Sequence, residues 1–152
     1  MSMKFRFVWI GKTKDKNWRA LQEEYLQRLS HFAKFDLTEI KESQSHETKE
    51  VEGKRIVEAI PAGAFVVLLD VVGKQFGSDE LAKEIEDWQN RSVREIVFII
   101  GGQDGVSDEV AEKANLRLSL SKMTLTHEAA RVLVAEQLYR SFTIINNYPY
   151  QK

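Results

Sequence analysis

The stretch IVFIIGGQDGVSDEV, Ile96 to Val110, runs from an apolar segment into paired glycines, passes Asp104 and Gly105, and closes on Ser107, a helix-capping residue. A strand that ends in glycine and feeds a helix is a frequent start to a nucleotide site. The spacing here is neither GxGxxG nor the phosphate-cradling GxxxxGK[ST]. Two readings stand for Gly101 and Gly102: a plain turn, or a backbone kept free of Cβ so that it can approach a ligand. Two further stretches place unusual residues at the end of an apolar run. In LLDVVGKQFGS, Leu69 and Asp70 lead into Gly73, and Asp70 there is also an ordinary turn former. LSLSKMTLTHEAAR, Leu118 to Arg131, holds Leu120, Met123 and Leu125 in a segment with loop character. Such a loop is either simply buried, or its aliphatic side chains and backbone groups grip a flat ligand between them.

His127 and Arg131 follow at i, i+4 on a helix, so they share a face beside that loop. A lone histidine is usually structural; a histidine and an arginine at the rim of a ligand site leave an acid–base or charge-stabilising role open. The chain ends NNYPYQK, two tyrosines, a proline and Lys152. Aromatic and cationic groups together suit stacking on a nucleic-acid base, and a frayed surface end is the plain alternative.

Composition narrows the chemistry. Cysteine is absent, which excludes disulfides, thiolate catalysis and zinc–thiolate sites and fits a cytoplasmic location. No apolar run reaches the roughly 18 residues of a membrane span, and Met1 to Arg6 is followed by no signal-peptide core. Net charge is −1, so affinity for nucleic acid must come from a local patch and not from a global field.

The elements that must position these residues follow from hydrophobic period. KFRFVWI (Lys4 to Ile10) alternates as a strand, and Gly11 with KTKDKN forms a loop. Trp18, Leu21, Tyr25 and Leu29 mark one face of a helix. Phe35 to Ile40 is a second strand. Lys41 to Glu52 reads as a polar, mobile linker that runs into a helix from Glu47 to Ala59. AFVVLLD and EIVFII are continuous apolar strands, a sign of burial on both faces of a parallel sheet. Between them Ser78 is expected to cap a helix with Leu81, Ile85 and Trp88 on one face. A short helix from Ser107 to Ala114, a short strand LRLSLS and a long helix from His127 to Phe142 complete the order. Strand and helix alternate five times, which predicts an α/β fold, a mostly parallel sheet flanked by helices, as one domain over residues 1–152.

Taken together, LLDVVGK, FIIGGQDG, LSLSKMTLTH, RVLVAEQLYRSF and the terminal PYQK resemble the SPOUT methyltransferases. Within them they are most similar to the RlmH (YbeA-like) family of ribosomal RNA large-subunit methyltransferases. The resemblance runs from the first strand to the last residue, with the motifs in order. It implies a homodimer, a C-terminal trefoil knot, and knot loops that bind S-adenosylmethionine. By position the cofactor residues are Leu69, Gly101, Leu120, Ser121, Lys122, Met123, Thr124 and Leu125. No metal is implied. The glycine turn would then be one wall of an adenosine pocket and hold no phosphate. The implied reaction is methylation of N3 of a pseudouridine in large-subunit rRNA on the assembled ribosome. His127, Arg131 and Tyr150 are the expected catalytic residues: Arg131 to stabilise the anion left at N3, His127 as base or target-orienting group. At the C-terminus the family commonly has Tyr-His where this chain has Tyr150 and Gln151, and Tyr148 stands at a frequent histidine position. Glutamine neither accepts a proton as a base nor carries charge.

Other readings compete with this one: a SPOUT enzyme for another RNA position, a non-catalytic knotted scaffold that binds an adenosyl ligand or the ribosome, and a flavodoxin-like phosphate binder. The last is weakened because the first strand ends WIGKTKDKN, without the run of small hydroxyl residues that cradles phosphate.

Overall fold

The computed structural model describes residues 3–102 and 104–150. Five strands form one sheet in the order β2-β1-β4-β3-β5. They are β1 (Lys4–Ile10), β2 (Lys34–Ile40), β3 (Phe65–Gln75), β4 (Glu95–Ile100) and β5 (Leu116–Ser119), and every neighbouring pair is parallel. The helices are α1 (Lys16–Leu29), α2 (Lys49–Glu58), α3 (Ser78–Asn90), α4 (Asp108–Glu112) and α5 (His127–Ile145). The expected α/β alternation is therefore what forms.

Side-chain alternation divides the strands between two cores. Phe5, Phe7 and Trp9 of β1 join Ile96, Phe98 and Ile100 of β4 on one face, under Leu26, Trp88, Leu138 and Phe142 from α1, α3 and α5. Val8, Val97 and Ile99 point to the other face, against Ile56 of α2 and Val110 of α4. Continuous apolar runs in β3 and β4 thus reflect burial on both sides. The helix α5 is apolar around most of its girth because it packs on both α1 and α3.

Four local features differ from the sequence reading. Past Asp70 the third strand bulges and returns, so that Leu118 of β5 faces both Leu69 and Lys74; the strand consequently runs on to Gln75. Gly77, not Ser78, is the N-cap of α3: Glu80 accepts a hydrogen bond from the Gly77 N–H at 2.6 Å, and the Ser78 hydroxyl donates to Gln137. β5 stops at Ser119, two residues short. Finally, the polar segment after β2 is tied and not a free linker. Glu47 accepts from Gln44 N–H at 2.7 Å and from Arg55 at 2.6 Å, while the Ser43 hydroxyl donates to Glu52. Polarity alone does not distinguish a solvated linker from one whose charges bond each other.

Candidate active site

The carboxyl ends of three adjacent strands, β4, β3 and β5, open into one cleft of about 840 Å³. That is where an open parallel sheet gathers its ligands. Each wall is one of the stretches singled out above. From β3 come Leu68 to Val71; from the turn after β4 come Gly101, Gly102, Gly105 and Val106; from the loop after β5 come Leu120, Ser121 and Met123 to His127.

The β4 wall is a tight turn. Gly105 N–H donates to Gly102 C=O at 3.1 Å, and Gly105 lies at φ +78°, the left-handed region that glycine occupies without strain. A Cβ on Gly101 would stand 2.8 Å from Val106 Cγ1. At Gly101 the two readings merge, since the turn needs glycine there to close and then presents bare backbone to the cleft; at Gly102 a Cβ would meet only Ile10, at 3.8 Å. Ser107 caps α4 immediately afterwards, accepting from Val110 N–H.

The β3 wall turns on Asp70. Its Oδ1 accepts from Val72 N–H at 3.1 Å and its Oδ2 pairs with Arg117 at 3.3 Å. At Gly73 a Cβ would sit 2.7 Å from the Arg117 carbonyl, so only glycine lets β3 return against β5. The third wall is held by its own serines: Ser119 Oγ donates to Ser121 C=O, and Met123 N–H donates to Ser121 Oγ. Met123 is 77% exposed at the cleft mouth. Aliphatic groups from Leu68, Ile100, Val106, Leu120 and Leu125 line the interior, with the carboxylates of Asp70 and Asp108 among them.

Of the residues expected to hold a cofactor, Leu69, Gly101, Leu120, Ser121, Met123, Thr124 and Leu125 line the cleft, whereas Lys122 is exposed and does not. His127, the first residue of α5, lines it too. Sequence reasoning misses Asp108 and Arg117, which also line the cleft; each sits inside an element where a charged residue looks like ordinary solvent-facing surface.

Arg131 is not among the residues that line the cleft. One turn after His127, it is 1% exposed and reaches away from the cleft. Its Nη2 donates to Ile10 C=O at 2.6 Å and its Nη1 to Thr13 Oγ1 at 2.8 Å, with the guanidinium 4.8 Å from the Trp9 ring centroid. Thr13 in turn donates to Gln22 at 2.5 Å. Burial pulls the Arg131 pKa down to about 10, yet it stays charged at neutral pH. Its Nε is buried without a partner. The bonded groups of this side chain thus face Ile10 and Thr13 at the end of β1 and not the cleft.

Tyr150 also lies away from the cleft. The hydroxyl donates to Glu136 at 2.7 Å, Arg140 bonds the same carboxylate oxygen at 2.6 Å, and Arg140 stacks 4.7 Å from the Tyr150 ring. Burial, then the bond to Glu136, raises the Tyr150 pKa well above its ordinary value, so it stays protonated near neutral pH. Glu136 lies nine residues beyond His127, roughly 14 Å along the helix. A single chain brings His127 to the cleft and leaves Tyr150 at the other half of α5. Gln151 lies outside the described residues. Among the described residues no three His, Asp or Glu side chains cluster to hold a metal, and no helix is long and apolar enough to cross a membrane.

Several known proteins are similar to this chain. The family model described as "Predicted SPOUT methyltransferase" matches residues 3–151. Proteins named "Ribosomal RNA large subunit methyltransferase H" are similar over nearly their whole length. The one from Christiangramia forsetii is 41% identical, covering 97% of this chain and 98% of its own. That from Desulfotalea psychrophila is 41% identical over 99% and 100%, and that from Streptococcus pneumoniae 38% over 99% and 100%. Among solved structures, "a probable methylase family protein from Haemophilus influenzae Rd KW20" superposes with a TM-score of 0.57 at 15% identity, over 97% of this chain and 70% of that one. The last comparison carries the fold alone; the family model and the full-length relatives carry more. The chain belongs to the SPOUT methyltransferases, in the family of ribosomal RNA large subunit methyltransferase H.

Proposed function

We propose that this chain transfers a methyl group from S-adenosylmethionine to N3 of a pseudouridine in large-subunit ribosomal RNA, on the assembled ribosome in the cytoplasm, as a homodimer with a knotted C-terminal part. The observation that carries the reading is the convergence of Leu69, Gly101 and the loop from Leu120 to Leu125 on one cleft with His127 at its mouth. The lining fits the cofactor. Aliphatic walls and the bare backbone of two loops suit a flat purine, and the carboxylate of Asp108 suits a ligand with cationic groups. When bound, the sulfonium supplies the methyl electrophile.

The chain's own contribution is positioning, which counts for much where a nucleophile must approach in line. The N3 proton must also leave. With a pKa roughly two units above the medium, deprotonation costs about 3 kcal/mol, and an imidazole at the cleft mouth offsets part of it by accepting the proton or orienting the base. His127 is given that role. Arg131 is not, since its guanidinium bonds Ile10 and Thr13. Tyr150, protonated and stacked against Arg140, is suited to contact the target base by stacking or hydrogen bonding, and in a homodimer the partner copy would bring it to the cleft.

The test is transfer of labelled methyl to ribosomes that lack the modification, with free rRNA in parallel. Label mapped to N3 of a pseudouridine, on ribosomes only, is the expected result. Label at another nucleotide would favour a second reading, a different RNA position, which Tyr148 and Gln151 in place of the family's frequent histidines support. Cofactor binding with no label at all would leave a scaffold.

A further inference from the structure

The loop between β1 and α1 is given no role by the cleft, yet it is firmly held. Thr13, at its centre, is 1% exposed and sits between the Arg131 guanidinium and Gln22. The next residue is held as well: Lys14 N–H donates to Glu128 at 2.6 Å. Asp15 then caps α1 through Asn17 N–H and Trp18 N–H. A buried guanidinium with no carboxylate partner is a costly way to hold a loop, so the question is what the loop presents.

It presents cations. Lys12, Lys14, Lys16 and Arg19 are all exposed, four cations against the single anion Asp15 between residues 12 and 19 of a chain whose net charge is −1. Three anions near this patch are already engaged. Asp15 caps the helix, Glu128 accepts from Lys14 N–H, and Glu42 pairs with Lys14 Nζ at 3.3 Å with both side chains largely in water, where a stronger phosphate partner displaces it readily. Glu128 directly follows His127, so the loop backbone touches the same helical turn that lines the cleft.

We propose that this loop is a docking surface for the phosphate backbone of RNA next to the target base, its lysines held at a fixed distance from the cleft by the buried Thr13–Arg131 contact. A rigid cationic loop positions a nucleic acid without reading its sequence. It also supplies the local patch that a nearly neutral protein needs. This inference rests on the rRNA-methylation reading.

The experiment compares the full-length protein with the triple variant Lys12→Ser, Lys14→Ser, Lys16→Ser. Three quantities are read: KM and kcat for labelled methyl transfer to unmodified large ribosomal subunits over a range of salt, binding of S-adenosylhomocysteine by calorimetry, and co-sedimentation with the same subunits without cofactor. The expected result is a KM raised by about tenfold or more near physiological salt, with the slope of log KM against log salt smaller by about one for each phosphate the variant no longer engages. The kcat, S-adenosylhomocysteine affinity and thermal unfolding should stay unchanged. An unchanged KM and salt slope would overturn the docking role, as would a defect confined to cofactor binding. Co-sedimentation separates the surface from the activity. If the wild type transfers no methyl but sediments with subunits in a lysine-dependent way, the activity fails and the surface stands; lysine-independent sedimentation removes the surface whatever the activity.

Discussion

His127 and Arg131 stand four residues apart on α5 and do different work, and the difference lies in what covers each. His127 is the first residue of the helix, exposed at the cleft rim. Arg131, one turn further in, is roofed by the loop from Gly11 to Asp15 and bonds Ile10 and Thr13. Spacing correctly places both on one face; it is silent on a roof supplied by residues 118 positions away. Their variants should therefore separate. His127→Ala is expected to leave thermal stability and S-adenosylhomocysteine affinity close to wild type and to cut methyl transfer by roughly 10²-fold or more, the usual range for a lost acid–base group. Arg131→Ala strips a donor from a carbonyl and a hydroxyl that stay buried, a loss on the order of 3 kcal/mol, measurable by denaturant unfolding. Thr13→Val, which removes only the hydroxyl, should cost about 1–2 kcal/mol. Arg131→Lys should recover little, because one ammonium does not span both acceptors as the planar fork does. An Arg131→Ala protein that unfolds like wild type yet turns over poorly would return Arg131 to the chemistry.

Among the elements, α2 shows how far the sequence could be read and where it stopped. Its helical period and the two buried core strands are visible in the pattern of apolar residues, since burial leaves a period that composition cannot mimic. Which glycines are obligatory, and which polar loops are tied, depends on neighbours far along the chain. Gly53 lies inside α2, an unfavourable place for glycine, because a Cβ there would stand 2.2 Å from Ser107 Oγ. Ser107 caps α4 at the exit of the glycine turn that walls the cleft. Gly53→Ala should therefore gain helix propensity and still lose about 1–3 kcal/mol through overpacking, with weaker S-adenosylhomocysteine binding as Ser107 is displaced. Calorimetry and thermal melts read both effects; a stabilised variant with unchanged binding would show that α2 simply shifts aside. At the other end of α2, Gln44 N–H and then Arg55 hold Glu47 below its ordinary pKa of 4.5. A carboxylate depressed in the folded state contributes stability that is present above its unfolded pKa and lost as pH falls through the folded value. Glu47→Gln should thus lower the melting temperature at pH 7 and converge on wild type as the medium is taken below about 4.5. A difference that persists undiminished in acid would assign the loss to packing.

For the whole molecule, one helix sets the problem. The cleft and His127 lie at the N-terminal end of α5, while Tyr150 folds back on Glu136 and Arg140 in its second half. No rotation of a side chain spans roughly 14 Å of helix, so if both residues act on one nucleotide they come from different copies. A two-fold arrangement satisfies this for both copies at once: each chain lends its tail to the other's cleft, and the contact is made twice by the same surfaces. The half-exposed Leu133 on α5 and the aromatic cluster of Phe32, Tyr139 and Tyr148 are the apolar surface such an arrangement could cover. The consequence is complementation. Tyr150→Phe keeps the ring and removes only the hydroxyl; Tyr150→Ala removes both, and is the variant to pair with His127→Ala. Mixed in equal amounts and allowed to exchange subunits, the two variants of the proposed homodimer should form mixed dimers in about half of the population. In each mixed dimer one cleft meets an intact His127 with an intact partner tail, and the other lacks both. Methyl transfer should therefore return to about a quarter of wild type, whereas each variant alone stays near background. If His127 and Tyr150 instead worked within one chain, a mixture would carry no chain with both residues and no activity would return.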